Sequence, residues 1–242
     1  IEMVERHGIA YHEKELGQLF CDISSKQIVK MLVDECQQAG VQIRTQCSVE
    51  RIEHGTDGFR VHTTHGLFHC ASLVVATGGL SIPSLGATGF GYEIARQFGH
   101  QVLPTRAGLV PLTLSGTHQE RLAELSGVAL PVEASCNGTS FRNFMLLTHR
   151  GVSGPAILQI SSFWQPGDAL SLDLLPGQDA AEWLRQMKRE RPAAELRTVL
   201  GDVLPKRLAQ RLCEHWLPDR PVRQLDEPDL RKAAQVLSAF PL

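Results

Sequence analysis

The stretch LVVATGGLSIPSLGATGFGYEIA, Leu73 to Ala95, runs an apolar strand into a segment holding five glycines and then into a helix-like pattern. Gly78 and Gly79 follow the apolar run, and a backbone without side chains there can approach a ligand closely. Ligands in open α/β sheets lie outside the carboxyl ends of strands, so a nucleotide-contacting turn is one reading. A plain crossover between strand and helix is the other. The glycine spacing does not match GxGxxG, and no GxxxxGK[ST] phosphate loop occurs in the chain. A second stretch, THRGVSGPAIL from Thr148 to Leu158, invites comparison with a nucleophile elbow. That elbow needs glycine two residues after the serine, and Pro155 stands there instead. Pro155 suits the first turn of a helix and Ser153 could cap it, so helix initiation at a domain contact is the better reading. His62, His65, His69 and Cys70 lie close together, but on a hairpin His62 and His65 point to opposite faces, which favours a surface hairpin over a metal site. No carboxylate pair has a spacing that demands acid/base chemistry, and no catalytic residue is nominated.

These residues need elements to position them. Ser24 and Gln27 fit a capping box, and Ile28, Met31, Leu32, Cys36 and Ala39 recur at helical spacing before Gly40, predicting a helix over about Ser25 to Ala39. VQIRT, CSVERIE and FRVHTTH then predict strands, with turns at His54 to Gly58 and at Gly66, and Leu73 to Ala76 predicts a strand buried on both faces. Tyr92, Ala95 and Phe98 mark a short helix closed by Gly99. Beyond Pro104, LVPLTL, VALPVEA, FMLLTH and ALSLDLL read as separate strands, with Pro131 placing the second at a sheet edge or bulge. From Gln178 the period is helical: Trp183, Leu184 and Met187 share one face, and Leu204, Leu208, Leu212 and Trp216 form an i, i+4 ladder. A last helix is expected over Pro228 to Leu237 behind Asp226, Glu227 and Asp229. The order is an α/β part, residues 1–106, a small β part, 107–176, and a helical part, 177–242.

Composition narrows the function classes. A chain of 242 residues with 43% hydrophobic and 21% charged residues can bury a substantial core. Its net charge of −2 offers no field for a polyanion, and the basic run Lys188, Arg189, Arg191 is interrupted by Glu190, so it reads as a solvated helix face and no nucleic-acid partner is expected. No apolar segment approaches the roughly 20 residues needed to span a bilayer, and IEMVERHGIA lacks the order of a signal peptide, so a cytoplasmic protein without a membrane partner is expected. Six scattered cysteines without a CxxC pair read as buried, reduced thiols. The chain starts at Ile1 without an initiator methionine and ends after LSAFPL, which suggests a fragment of something longer.

LVVATGGLSIPSLGATGFGYEIARQFGH, followed by LVPL and later by THRGVSGPAIL, resembles the BaiN/YhiN-like family of bacterial NAD(P)/FAD-dependent flavoproteins. The resemblance runs from about Leu16 to the end, and LGQLFCDISSKQIVKML joins it with Gln18 in place of arginine and Cys21 in place of proline. It implies an incomplete Rossmann-type FAD-binding domain followed by an inserted small β-barrel and a helical subdomain. It further implies cofactor contacts at Val49, Thr77, Gly78 and Gly79, and substrate-side or domain contacts at His149, Gly151, Ser153 and Gly154. The implied activity is FAD-dependent oxidation and reduction of an unknown small organic substrate, with NAD(P)H possible as the reductant. The family begins with a GxGxxG turn and ends with a glycine-rich segment that closes over the flavin. This chain shows neither, so weak or absent FAD binding is expected for it alone, and a non-enzymatic folded or interaction module is the alternative.

Overall fold

The structure, a computed structural model, describes residues 1–14 and 17–242; Leu16, where the resemblance begins, lies outside the described residues. The chain divides into two compact units, Ile1–Val102 and Leu103–Leu242.

The first unit contains α1 (Glu2–Arg6), the hairpin β1 (Tyr11–Glu13) and β2 (Leu19–Cys21), and α2 (Lys26–Gln38). An antiparallel meander of β3 (Val49–Gly55), β4 (Gly58–Thr63) and β5 (Gly66–Cys70) follows, then α3 (Phe90–Gln97). His7 bonds Glu35 at 2.6 Å and so ties the chain after α1 to α2; the same bond holds the Glu35 carboxyl below its usual range. Alternation along β3 and β4 turns Ile52 and Val61 inward against Ile94 of α3, with Phe59, Phe68, Leu73 and Phe90 around them. Gln97 donates to the Ile52 carbonyl at 2.6 Å and fixes α3 on the meander.

Two expected strands are absent. Residues 41–47 and 72–79 carry no ladder, Val74 is 85% exposed, and Val41, Ile43 and Val75 are exposed too. An apolar, β-branched run needs a hydrogen-bonded neighbour to become a strand, and none of the described residues provides one here. The capping box at Ser24 also fails. Ser24 Oγ accepts from the Lys26 amide at 3.2 Å, Ser25 is the N-cap without a side-chain bond, and Gln27 Oε1 is buried with no hydrogen-bond partner among the described residues.

The second unit is a six-stranded antiparallel sheet in the order β11-β10-β7-β8-β9-β6: β6 Leu112–Thr113, β7 Ala129–Cys136, β8 Thr139–Thr148, β9 Gly151–Ser153, β10 Ser171–Asp173 and β11 Phe240–Pro241. Between them come α4 (Gly116–Leu122), α5 (Pro155–Ile160), α6 (Ala180–Glu190), α7 (Leu196–Leu200), α8 (Lys206–His215) and α9 (Glu227–Ser238). The long β7–β8 hairpin turns at Asn137 and Gly138, both at positive φ, the conformation that matches strand twist in a two-residue turn. Pro131 lies beyond the reach of β10, which meets β7 at Glu133 to Ser135 alone, so its missing amide leaves no bond to β10 unmade. Leu170, Leu172 and Leu174 are buried while Ser171 and Asp173 are half-exposed, the alternation of a one-sided strand. Strand and helix side chains share one core, in which Val132, Ile157, Leu184, Leu200, Leu212 and Leu237 are wholly enclosed.

Side-chain caps fix two of the helices. Asp179 accepts from the amides of Ala181 and Glu182 at 2.9 and 3.0 Å, and Asp226 and Asp229 close a capping box on α9. Asp226→Ala is expected to cost about 1 kcal/mol, read from urea unfolding, and an unchanged midpoint would show that the box contributes nothing.

Candidate functional site

In the first unit the Thr77–Gly79 segment lies against the start of α3. A Cβ at Gly91 would stand 2.7 Å from Thr77 Oγ1, and one at Gly79 would stand 2.8 Å from the Tyr92 hydroxyl. Both glycines therefore permit a close approach between helix and segment. Gly78 has φ +70°, a conformation glycine adopts without strain. The backbone of residues 72–81 makes no hydrogen bond to another described residue, so its amides and carbonyls stay open along an apolar wall. Beside this wall is a hollow of about 470 Å³ lined by Leu73, Val75, Phe59, Ile94, Phe98 and the imidazoles of His54 and His100, among others. Sequence reasoning took His54 only as part of a turn and missed His100. The run FRVHTTH, read as a strand, supplies one side of the hollow through Phe59. Gly91→Ala sets its Cβ against the Thr77 hydroxyl, a side-chain atom on a segment without ladder bonds, while alanine favours the helix over glycine by about 1 kcal/mol, so Thr77 is expected to turn aside with amide exchange in α3 unchanged or slower.

Val49 opens β3 beside a register shift between Val49 and Arg51, and it is exposed. Like Thr77, Gly78 and Gly79 it belongs to the first unit. The other four expected residues belong to the second. His149 is exposed in the turn between β8 and β9, where Thr148 Oγ1 accepts from the amides of Arg150 and Gly151. Gly151 pairs with Thr113 across the sheet, and a Cβ there would fall 2.2 Å from the Leu112 carbonyl oxygen. Gly154 has φ +92°, and its Cβ would fall 2.7 Å from the Phe144 carbonyl oxygen. Both glycines thus have a packing reason to be there. Pro155 does open α5, as expected, but the N-cap is Gly154 without a side-chain bond, and Ser153 pairs with Leu146 inside β9 rather than capping.

No group of three or more histidines, cysteines, aspartates or glutamates among the described residues is arranged to hold a metal ion. His62 bonds Glu53 at 3.3 Å, which holds the Glu53 carboxyl below its usual range, and His65 occupies the turn before β5. Burial pushes the Cys213 thiol up to about 12, with Asp219 adding to the effect, and burial raises Cys136 as well. A thiol raised in the folded state stays protonated while its unfolded counterpart ionises above about pH 8.5, so Cys213 lowers stability as pH climbs past that point. The folded protein at pH 8 is accordingly expected to react with thiol reagents at the part-exposed Cys21, Cys36, Cys47 and Cys70 before Cys136 and Cys213. Labelling of Cys213 at the rate of Cys21 would contradict the burial argument.

The chain matches two family descriptions: the HI0933-like protein Rossmann domain over residues 1–162, and the HI0933-like protein barrel and H2TH domain over residues 106–242. It is 49% identical over 240 residues to a ribosomal RNA dihydrouridine synthase of Escherichia coli strain K12, covering 98% of this chain and 60% of that protein. It is 48% identical over 216 residues to the protein of the same name in Haemophilus influenzae, covering 87% of this chain and 53% of the other. A 3-dehydro-bile acid delta(4,6)-reductase of Clostridium scindens is 27% identical over 201 residues, 77% of this chain and 48% of that protein. The chain thus spans about half to three fifths of the length of these relatives. The expectation of a small organic substrate and no nucleic-acid partner does not stand, because two relatives at nearly half identity are named for work on ribosomal RNA. The small substrate was what the resemblance implied, and the missing nucleic-acid partner rested on net charge, which averages unlike regions. Residues 188–223 hold nine lysines and arginines against five aspartates and glutamates, a balance of +4 inside a chain of −2.

Proposed function

The chain belongs to the HI0933-like family, and from that premise we propose that it is part of a flavin-dependent oxidoreductase whose substrate is a uridine of ribosomal RNA. The observation that carries this reading is the 49% identity to a ribosomal RNA dihydrouridine synthase over 98% of the chain. A dihydrouridine is a uridine whose C5–C6 double bond has gained two hydrogens, and the Clostridium scindens relative is also named a reductase. Reduction is therefore common to both names. FAD is the proposed cofactor and NAD(P)H the proposed source of electrons, in a cytoplasmic setting.

The residues of the first unit fit one wall of a dinucleotide site. Thr77, Gly78 and Gly79 offer open backbone groups beside an apolar hollow, and Val49 is exposed at the start of β3. They do not fit the pyrophosphate end. The helix that follows the glycine-rich stretch, α3, carries Glu93 in its first turn, where a carboxylate repels the anion that a helix start otherwise attracts. Bound flavin supplies hydride chemistry, and the protein around it supplies orientation and charge. The share of these residues is to shape and dry that wall. A second reading, the chain as a separate folded module that does not hold FAD by itself, is supported by the continuous core of the second unit.

The proposal is tested with the whole gene product, purified and assayed for flavin content and for NADH or NADPH oxidation that depends on added unmodified ribosomal RNA. RNA-dependent turnover with dihydrouridine as product is expected. Turnover indifferent to RNA would sink the substrate assignment, and a flavin-free active protein would sink the cofactor.

A further inference from the structure

The cations of residues 188–223 are not spread evenly. The α7–α8 hairpin buries Leu196, Val199, Leu200, Leu204, Leu208 and Leu212, and that periodicity fixes which side faces water. On the outer side lies a hollow of about 360 Å³ lined by Arg197, Thr198, Gly201, Asp202, Lys206 and Gln210. Gln210 also lines a second hollow of about 210 Å³, together with Arg207, Arg211, Glu124, Leu125 and Glu214. The two depressions thus adjoin along α8 and form one polar track with cations in both halves.

Local energetics do not account for all of these cations. Lys206 and Arg207 occupy the first turn of α8, which holds no acidic residue, although the helix dipole disfavours positive charge there. Lys206 makes no ion pair among the described residues. Arg207 donates to the Glu124 carbonyl and keeps its charge without a carboxylate partner among the described residues. Arg197 pairs with Asp219 at 3.2 Å, yet its side chain remains 54% exposed. Asp202 pairs with Arg191, while Glu124 and Glu214 pair with Arg211. Arg191 offsets Asp202 and Arg211 offsets one of its two glutamates, so the four cations lining the hollows, Arg197, Lys206, Arg207 and Arg211, outnumber the three carboxylates by one, and Lys206 and Arg207 are the two without a carboxylate partner among the described residues.

We propose that this track, centred on Arg197, Lys206 and Arg207, is a contact for the phosphate backbone of structured RNA. It would position the substrate without reading its sequence, as cations on phosphates do. The inference rests on the reading of the protein as an RNA-modifying enzyme.

The test uses the full 242-residue chain and a labelled stem-loop RNA, with binding followed by fluorescence anisotropy at several salt concentrations. The variants are Lys206→Glu and Lys206→Ala, with Lys232→Glu, at an exposed position of α9, as a control matched in charge change to Lys206→Glu. Circular dichroism confirms that each is folded. Lys206→Glu is expected to weaken binding about tenfold at low salt, and Lys206→Ala to lower the salt slope by about one contact, while Lys232→Glu stays within about twofold of wild type. Equal losses for Lys206→Glu and Lys232→Glu, or no loss for either, would overturn the track while leaving the substrate assignment standing. Wild-type chain that does not bind the stem-loop would also overturn it. The substrate assignment fails separately, in the turnover assay of the whole protein.

Discussion

Gly151→Ala is expected to lower the stability of the Leu103–Leu242 unit by about 3 kcal/mol, the sum of a steric displacement and of lost strand pairing. The added Cβ would meet the Leu112 carbonyl oxygen at 2.2 Å, the Leu114 nitrogen at 2.8 Å and the Thr113 Cα at 2.9 Å. All three are backbone atoms, so no rotamer change relieves the overlap. Either β9 withdraws from β6 and forfeits the pairing of Leu112 with Val152 and Thr113 with Gly151, or the whole edge shifts. Trp164, Trp183 and Trp216 all lie in this unit, so urea unfolding followed by tryptophan fluorescence reports on it directly. Ser153→Ala, two residues away, adds no atom against a neighbouring backbone and should stay within about 0.5 kcal/mol of wild type. If Gly151→Ala unfolds at the wild-type midpoint, the close approach of β6 and β9 is wrong. The glycines of THRGVSGPAIL thus have a structural role that precedes any contact with a substrate.

Leu212→Ala should cost about 2–5 kcal/mol, because the leucine is fully enclosed and a cavity would remain where its side chain was. More informative than the size is the shape of the transition. Leu212 sits on α8 within a core continuous with Val132 and Leu172 of the sheet, so helices and strands are expected to unfold together in one shifted transition. Two separated transitions would show that the helical part is a folding unit of its own.

The helices were legible because their periodicity is written in large residues. Trp183, Leu184 and Met187 on α6 and Leu208 and Leu212 on α8 fall where the pattern puts them. The meander was legible from alternation and turn glycines, and α9 from its acidic start. The Asn137–Gly138 dipeptide, a tight-hairpin signal, joins the two flanking strands, which their apolar runs show only as separate elements. VQIRT and LVVA were misread for a physical reason. Propensity states that a residue run suits a strand, whereas a strand exists only with a hydrogen-bonded neighbour. Ser24 and Ser153 show the same limit for caps, because the motif names a geometry that the local backbone must then adopt.

For the site, the glycines were visible but their tasks were not. Gly79 and Gly91 make room for Tyr92 and Thr77, and Gly151 and Gly154 make room for the backbone of neighbouring strands. These neighbours are distant enough in sequence, or on so irregular a path, that spacing alone cannot announce them. The basic character of the helical part was hidden for another reason, since a net charge of −2 sums an acidic first unit with a basic segment.

The central claim is that the protein of which this chain is part reduces a uridine of ribosomal RNA. It is tested most directly by nucleoside mass spectrometry of ribosomal RNA from a strain lacking the gene, beside the same strain with the gene restored. The account predicts that dihydrouridine at one position disappears with the gene, leaving a uridine lighter by two hydrogens, and returns with it. Ribosomal RNA with the same dihydrouridine content in both strains would contradict the account.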